Sequence, residues 1–275
     1  MSRVLVVGVT DLTGILVIQT LLRQEGPTVK VLVQTKETLQ QLLQQQKEQQ
    51  QEGGGEGSDL ETMLDKYKDR LSVTEASIFD RTDEQLRELC HDCQAIVCCH
   101  VPLLGVQDIF GQHVRYLVTE TTRRFTTVMT KECKYILQSS EGVADPRIDP
   151  VPNLPDRVAL SLIRTLVPPH ADQEQAAWYL VEHVHDIHHW CVVRPTDLIT
   201  AEVSDYELLD CQKIESLFGS RGTATRANVA DFIAELITNA ETWGRYNHKM
   251  PVLYDKKQEP ASTNTEGMEE GMDRE

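Results

Sequence analysis

The chain opens on an unbroken apolar run, residues 4–7, closed by Gly8, and after a short polar turn continues into residues 15–22, where apolar side chains recur at helical spacing. A strand apolar at every position is buried on both faces, as in a parallel sheet with helices on either side. The same alternation returns along the chain. Residues 28–33 form a β-branched run after Gly26-Pro27, 60–67 read as a helix, 71–76 as a third strand, and 83–89 as a helix with acidic residues in its first turn. Residues 95–100 make the fourth strand, 114–130 a long amphipathic helix, 134–140 the fifth strand, and a further strand begins at Trp190. An amphipathic helix over 228–240 and a short apolar run over 252–254 complete the pattern. Strands that alternate with helices imply parallel pairing through right-handed crossovers, so the expected class is α/β with a doubly wound parallel sheet.

Three stretches break the rhythm. Residues 39–51 are glutamine-rich and give way to Glu52-Gly53-Gly54-Gly55-Glu56-Gly57-Ser58, which reads as a helix fraying into a low-complexity insertion over 44–58. The proline-rich span 145–155 is expected to be irregular; 158–166 resumes a helical pattern, and Pro168-Pro169 is expected to interrupt it. From Lys256 onward the chain turns polar and acidic, and 256–275 is expected to be a disordered tail that serves solvation. Residues 1–255 then form one domain, a size that suits a single core.

Charge and cysteine content narrow the function. A formal net charge of -16 leaves no basic patch for nucleic acid or an anionic membrane. No apolar run is long enough to span a bilayer and the first residues enter a strand at once, so a cytoplasmic protein is expected. Seven cysteines, an odd number, fit reduced thiols better than a disulfide framework.

The chemistry concentrates at the first turn. Gly8 lets the chain leave the strand sharply, and Gly14 lets the following helix sit close to the sheet; with Thr10, Asp11, Leu12 and Thr13 between them, this is the layout that cradles a dinucleotide pyrophosphate on a helix N-terminus. The middle position of the glycine pattern is Asp11, whose carboxylate either repels phosphate or points to solvent as a turn residue. At the end of the second strand no acidic residue waits for the ribose hydroxyls; Gln34 and Lys36 stand there, and Lys36 either meets a 2′-phosphate, which makes NADP the expected cofactor with NAD as the other choice, or is a solvated helix-start lysine. His100 and the loop 101–111 are expected near the middle of the cofactor, because ligands sit beyond the carboxyl ends of the strands. Ser139 either bonds a substrate carbonyl or the nicotinamide ribose, or simply forms a turn. A zinc reading of Cys90, Cys93, Cys98, Cys99 and His100 is disfavoured because Cys98 and Cys99, adjacent on a strand, point to opposite faces. The cluster His183, His185, His188 and His189 reads more readily as a polar helix end than as a metal site, so no metal is expected.

Gly8-x-Thr10-x-x-x-Gly14, residues 135–140 before a loop, Trp190 to Ile199 with Arg194-Pro195, and Thr225 to Ile233 together resemble the atypical short-chain dehydrogenase/reductases, the NmrA-like NAD(P)-binding proteins. Pro168 to Ala177 and Trp243 to Tyr254 resemble a little-characterised branch of that family. The resemblance covers about residues 3 to 255 and implies a Rossmann-like sheet with a small C-terminal substrate lobe over 196–255. It implies that Pro195 and its backbone line the nicotinamide pocket, with Arg194 either at the site or paired with a carboxylate beneath it. Active members use Tyr-x-x-x-Lys, in which the phenol protonates a carbonyl oxygen and the lysine lowers the phenol's pKa. Here that position reads His170-x-x-x-Glu174, which leaves His170 as the proton-donor candidate; Tyr179 with His183 is a poorer match at the same spacing. Two functions remain open: an NADPH-dependent reductase of a small carbonyl or conjugated substrate, or a dinucleotide-sensing or scaffold protein without chemistry.

Overall fold

The computed structural model describes residues 2–51, 59–100, 116–151, 155, 168–184, 188–212 and 222–256. The run 52–58, the loop 101–111, the helix expected over 158–166, His185 and the tail from residue 257 lie outside the described residues.

β1 (Arg3–Val7), α1 (Leu12–Arg23), β2 (Thr28–Val33), α2 (Lys36–Gln51), α3 (Leu60–Lys66), β3 (Leu71–Glu75), α4 (Asp83–Cys90), β4 (Ala95–Cys98), α5 (Leu117–Val128), β5 (Lys134–Gln138), α6 (Pro168–Tyr179) and β6 (His189–Pro195) alternate as the hydrophobic pattern requires. β1 lies between β2 and β4, with Val4 opposite Val29 on one side and Ala95 on the other, and all pairings from β3 to β6 are parallel. The strands are apolar on both faces because both faces are covered. Val4 and Val6 join the core under α1, whereas Leu5 and Val7 join the core under α4, α5 and α6. Each such fully buried aliphatic side chain contributes about 1.5–3 kcal/mol.

Beyond β6 the chain does two things. β7 (Asp197–Ile199) and β9 (Thr223–Thr225) pair as a small two-stranded parallel sheet. β8 (Tyr206–Leu209) and β10 (Val252–Asp255) join the main sheet, giving eight strands in the order β3-β2-β1-β4-β5-β6-β10-β8, with β10 parallel to β6 and β8 antiparallel at the edge. α7 (Arg226–Thr238) packs along α1, and α8 (Ala240–Tyr246) follows it directly.

Several expected boundaries shift for physical reasons. Pro168 and Pro169 are the first described residues of α6, and the helical pattern over 158–166 that they were expected to interrupt lies outside the described residues. The expected helix over 228–240 ends at Thr238, because Asn239 closes α7 through its N–H to Glu235 O and opens α8 by accepting from the Glu241 and Thr242 N–H groups. Residues 44–51, expected to begin the insertion, are the last turns of α2, where Gln46 and Gln19 exchange paired amide hydrogen bonds at 2.9 Å. Ser139 and Ser140 fall outside β5, as do Cys99 and His100 outside β4.

Arg194, with none of its surface exposed, donates to Met250 O at 2.6 Å and Val143 O at 2.9 Å and forms an ion pair with Asp149. Asp149 also accepts from the Gln212 N–H at 2.9 Å. Of the two roles open to Arg194, pairing beneath the strand ends is the one its bonds describe. All seven cysteines are free, six of them buried. No helix among the described residues is long and apolar enough to cross a membrane.

Candidate functional site

Strand order reverses between β1 and β4, so the turns beyond their carboxyl ends diverge and leave a crevice. Gly8 turns out of β1 with φ 69°, a left-handed conformation that favours glycine, and the His100 ring lies directly over it: a Cβ on Gly8 would fall 2.3 Å from the imidazole Cγ. Gly14 brings α1 onto the sheet, where an added Cβ would meet Val9 Cγ1 at 3.0 Å and Cys99 Cβ at 3.3 Å.

Of the two roles the sequence left open for Asp11, that of a solvent-facing turn residue does not describe its bonds. The residue is the N-cap of α1: Oδ1 accepts from the Gly14 N–H at 3.2 Å and Oδ2 from the Thr13 hydroxyl at 2.9 Å. The carboxylate therefore sits on the positive end of the helix, a placement worth about 1 kcal/mol to α1. Burial raises its pKa above the ordinary value, opposed by the bonds from Thr13 and Gly14 and by the charge of Arg226. Leu12 and Thr13 are buried in the first turn, and Thr10 is half-buried.

Buried polar side chains stand at the end of β5 and just past β4 and β5. Gln138 is fully buried with neither amide atom in a hydrogen bond to a described residue, and the buried Ser139 Oγ is likewise without one. Ser139 is held by its backbone, whose N–H donates to Val193 O at 2.8 Å. His100 Nδ1 has no partner among the described residues, and burial lowers its pKa to about 4, so the imidazole is neutral. Its carbonyl accepts from Gln173 Nε2 at 3.1 Å.

α6 brings His170 to the same region. A Cβ on Gly142 would fall 3.1 Å from His170 Cε1 and 3.6 Å from Ser140 Oγ, which places the imidazole against the loop that follows Ser139. Asp172 is spent elsewhere: it accepts from the Val118 and Thr119 N–H groups at 2.8 and 2.9 Å and from the Thr119 hydroxyl at 2.7 Å, capping α5. Glu174 is buried at 5 % exposure. Pro195 is buried at the end of β6, its carbonyl accepting from the Glu141 N–H at 2.9 Å. On the rim, Gln34 and Lys36 are exposed, and Thr35 Oγ1 caps α2 by accepting from the Thr38 N–H at 3.3 Å. Tyr179 lies 5.3 Å from the His183 ring and packs into the core under α6. Among the described residues no group of three His, Cys, Asp or Glu side chains could hold a metal ion.

Contacts link Gly8 with His100 and Gly14 with Asp11 and Cys99 at the ends of β1 and β4, and His170 with Gly142 in the loop after β5, while Lys36 is exposed at the start of α2. The sequence reading missed Gln138, Gln173 and Arg226. A polar residue closing an apolar strand was the available signal for Gln138; Gln173 and Arg226 meet their partners only in the fold.

A family model described as NAD(P)H-binding matches residues 59–240, more than half of the chain. The chain belongs to the NAD(P)H-binding family. The match begins after β2, so it rests on the strands and helices around the crevice rather than on the glycine turn. No curated protein matches this NAD(P)H-binding family member. Solved structures similar to it include a protein from Lactobacillus casei, at 13% identity over 92% of this chain and 99% of that one with a TM-score of 0.63. A wide-type short-chain dehydrogenase/reductase from Veillonella parvula in complex with NADP matches at 13% identity, over 93% of this chain and 95% of that one, with a TM-score of 0.60. The terminal R domain from the myxalamid PKS-NRPS biosynthetic pathway matches at 14% identity, over 92% of this chain and 66% of that one, with a TM-score of 0.58. At these identities the likeness is one of fold, a Rossmann-like α/β sheet.

The residues fit a dinucleotide unevenly. At the strand ends Gln138, Ser139 and His100 offer buried polar atoms that lack partners among the described residues, which suits a ligand carrying both donors and acceptors. At the phosphate end the Gly14 N–H is already bonded to the chain's own carboxylate.

Proposed function

We propose that this chain binds NADP across the carboxyl ends of β2, β1, β4 and β5 and acts by occupancy, as a dinucleotide sensor or scaffold, rather than by Tyr/Lys-type hydride chemistry. The observation that carries this reading is Glu174. It is buried on α6 where the resemblance to NmrA-like short-chain dehydrogenase/reductases requires the lysine that supports the proton donor, and α6 carries no lysine. A carboxylate at that position raises the pKa of a neighbouring proton donor instead of lowering it. NADP is favoured over NAD because the exposed Lys36 ends the β2 turn with no ion pair to a described carboxylate, and a 2′-phosphate is the group such a lysine accommodates. The Veillonella parvula protein with the same fold holds NADP. A cytoplasmic site of action suits such a ligand.

A second reading is a reductase of a small carbonyl or conjugated substrate, with NADPH as hydride donor. It is favoured by one observation, the His170 imidazole lying against the Gly142 loop, where it would donate the proton while Ser139 orients the substrate. Nicotinamide fluorescence separates the two. The sensor reading expects NADPH to bind with a micromolar or tighter Kd and to survive a panel of aldehydes, ketones and quinones unconsumed. Turnover by the wild-type chain that His170→Ala abolishes, with binding retained, overturns it in favour of the reductase.

A further inference from the structure

Gly8 leaves β1 with φ 69° and presents bare backbone where any other residue would project a side chain. At the carboxyl ends of β1 and β4 that is the face a ligand approaches. Here the chain itself covers it. A Cβ built on Gly8 would lie 2.3 Å from His100 Cγ and 2.4 Å from both Cδ2 and Nδ1, so the imidazole rests against the glycine; no other described glycine has a neighbour closer than 3.0 Å to its Cβ position. The main chain under this ring is pinned: the Cys99 N–H donates to Val7 O at 2.9 Å, and the His100 carbonyl accepts from Gln173 Nε2 at 3.1 Å. The ring is not held in that way. Its buried Nδ1 has no hydrogen-bond partner among the described residues, so no bond at that nitrogen has to break for the side chain to turn away. Burial keeps the imidazole neutral down to about pH 4, and a neutral ring offers a diphosphate no charge in return for the space it takes.

We propose that the His100 side chain is an internal competitor for the dinucleotide crevice: it stands on Gly8 where the nucleotide must meet the β1 turn, and it swings off as the nucleotide enters. This rests on the reading that the crevice takes a dinucleotide, and it supplies what a sensor needs, a side chain whose position reports occupancy. No covalent bond is made or broken. A ring that covers Gly8 in about 90% of molecules weakens the apparent affinity about tenfold against an open crevice, and one that covers it in about 99% weakens it about a hundredfold. The ring competes by its volume, so removing it tightens binding. A ring that instead bonded the nucleotide would weaken binding when removed.

The test titrates NADP+ calorimetrically into the full wild-type chain and into His100→Ala and His100→Ser, with thermal melts to establish which variants fold. Both variants are expected to bind at least about tenfold tighter than wild type. A second measurement needs no substitution. In wild type at about pH 6, the NMR signal of the His100 imidazole, assigned through bonds to its own backbone, is expected at the neutral position without nucleotide. Under saturating NADP+ it is expected to move to a position about three-quarters protonated, as an imidazole released to solvent with the ordinary histidine value of 6.5 requires. Wild-type binding that a folded His100→Ala or His100→Ser does not tighten, or a His100 signal that stays at the neutral position with NADP+ bound, overturns the competition and leaves the dinucleotide reading standing. Absence of binding by wild type and by every variant that folds overturns both.

Discussion

His100 shows how one residue ties packing to protonation. Its ring covers Gly8, and the burial that this demands holds its pKa at about 4, below the ordinary histidine value of 6.5. A depressed histidine makes the unfolded chain the better proton acceptor as pH falls, so stability is lost through the interval from 6.5 down to about 4 and levels off below it. Between pH 7 and about 4.5 this single group costs about 2 kcal/mol. Asp11 and Asp172, raised by burial, act with the opposite sign: the folded state holds their protons more tightly, and stability is lost as pH rises through the window above the ordinary carboxylate value. Urea unfolding at the two pH values should therefore show His100→Leu losing about 2 kcal/mol less than wild type on acidification. An equal loss in both chains would mean that the imidazole is not held neutral over Gly8. Gly8 and Gly14 were legible as a turn and a close approach because glycine has few other uses in such places. The partner that makes Gly8 necessary, a histidine after β4, was legible only as a residue near the ligand.

At the scale of elements, what the sequence discloses depends on whether the determinants are local. The strands β1 to β6 were readable because burial on both faces leaves an apolar run, and the Thr82-x-x-Gln85 capping box marks the start of α4 by residues within it. α5 is the contrary case. Tyr116 precedes it without a side-chain cap bond, and the cap comes from Asp172 on α6, more than fifty residues away. No local pattern announces such an arrangement, and in the sequence this aspartate is only one of the unassigned positions inside His170-x-x-x-Glu174. β7, β8, β9 and α8 escaped notice for a related reason: three of these four have five residues or fewer, too short to show a period. Replacing Asp172 leaves the buried Val118 N–H and the half-buried Thr119 N–H unpaired at once, so Asp172→Ala should cost about 2–3 kcal/mol in urea unfolding, beyond an ordinary exposed cap. It should also loosen the α5–α6 contact, read as faster amide exchange in the first turn of α5. Protection unchanged there would mean that α5 finds its cap elsewhere.

For the whole molecule the question is what fastens the C-terminal segment to the sheet that precedes it. α7 lies along α1, and Asp255 on β10 accepts from the Thr225 N–H at 2.9 Å and Asn228 Nδ2 at 2.7 Å, so the end of the chain is tied to the start of α7. The strongest tie is Arg194. From the middle of the sheet it reaches Val143 O and Asp149 in the loop after β5, Met250 O just before β10 and Asp210 O just after β8, and Asp149 in turn receives the Gln212 N–H. Both charged groups are fully buried, so their mutual attraction offsets a large desolvation cost, and the pair is worth little in net stability against an apolar pair of the same volume. Breaking one side is different, because the remaining charge stays buried without a counterion. Arg194→Met should therefore cost about 3–5 kcal/mol and should loosen β8 and β10 together, since both lose a carbonyl partner in one step. Asp149→Leu added to Arg194→Met should recover most of that loss, and the recovery can be read in a double-mutant cycle of urea midpoints. Additive losses would mean that the guanidinium holds these strands through its carbonyl bonds alone, with the Asp149 charge contributing nothing to the fastening.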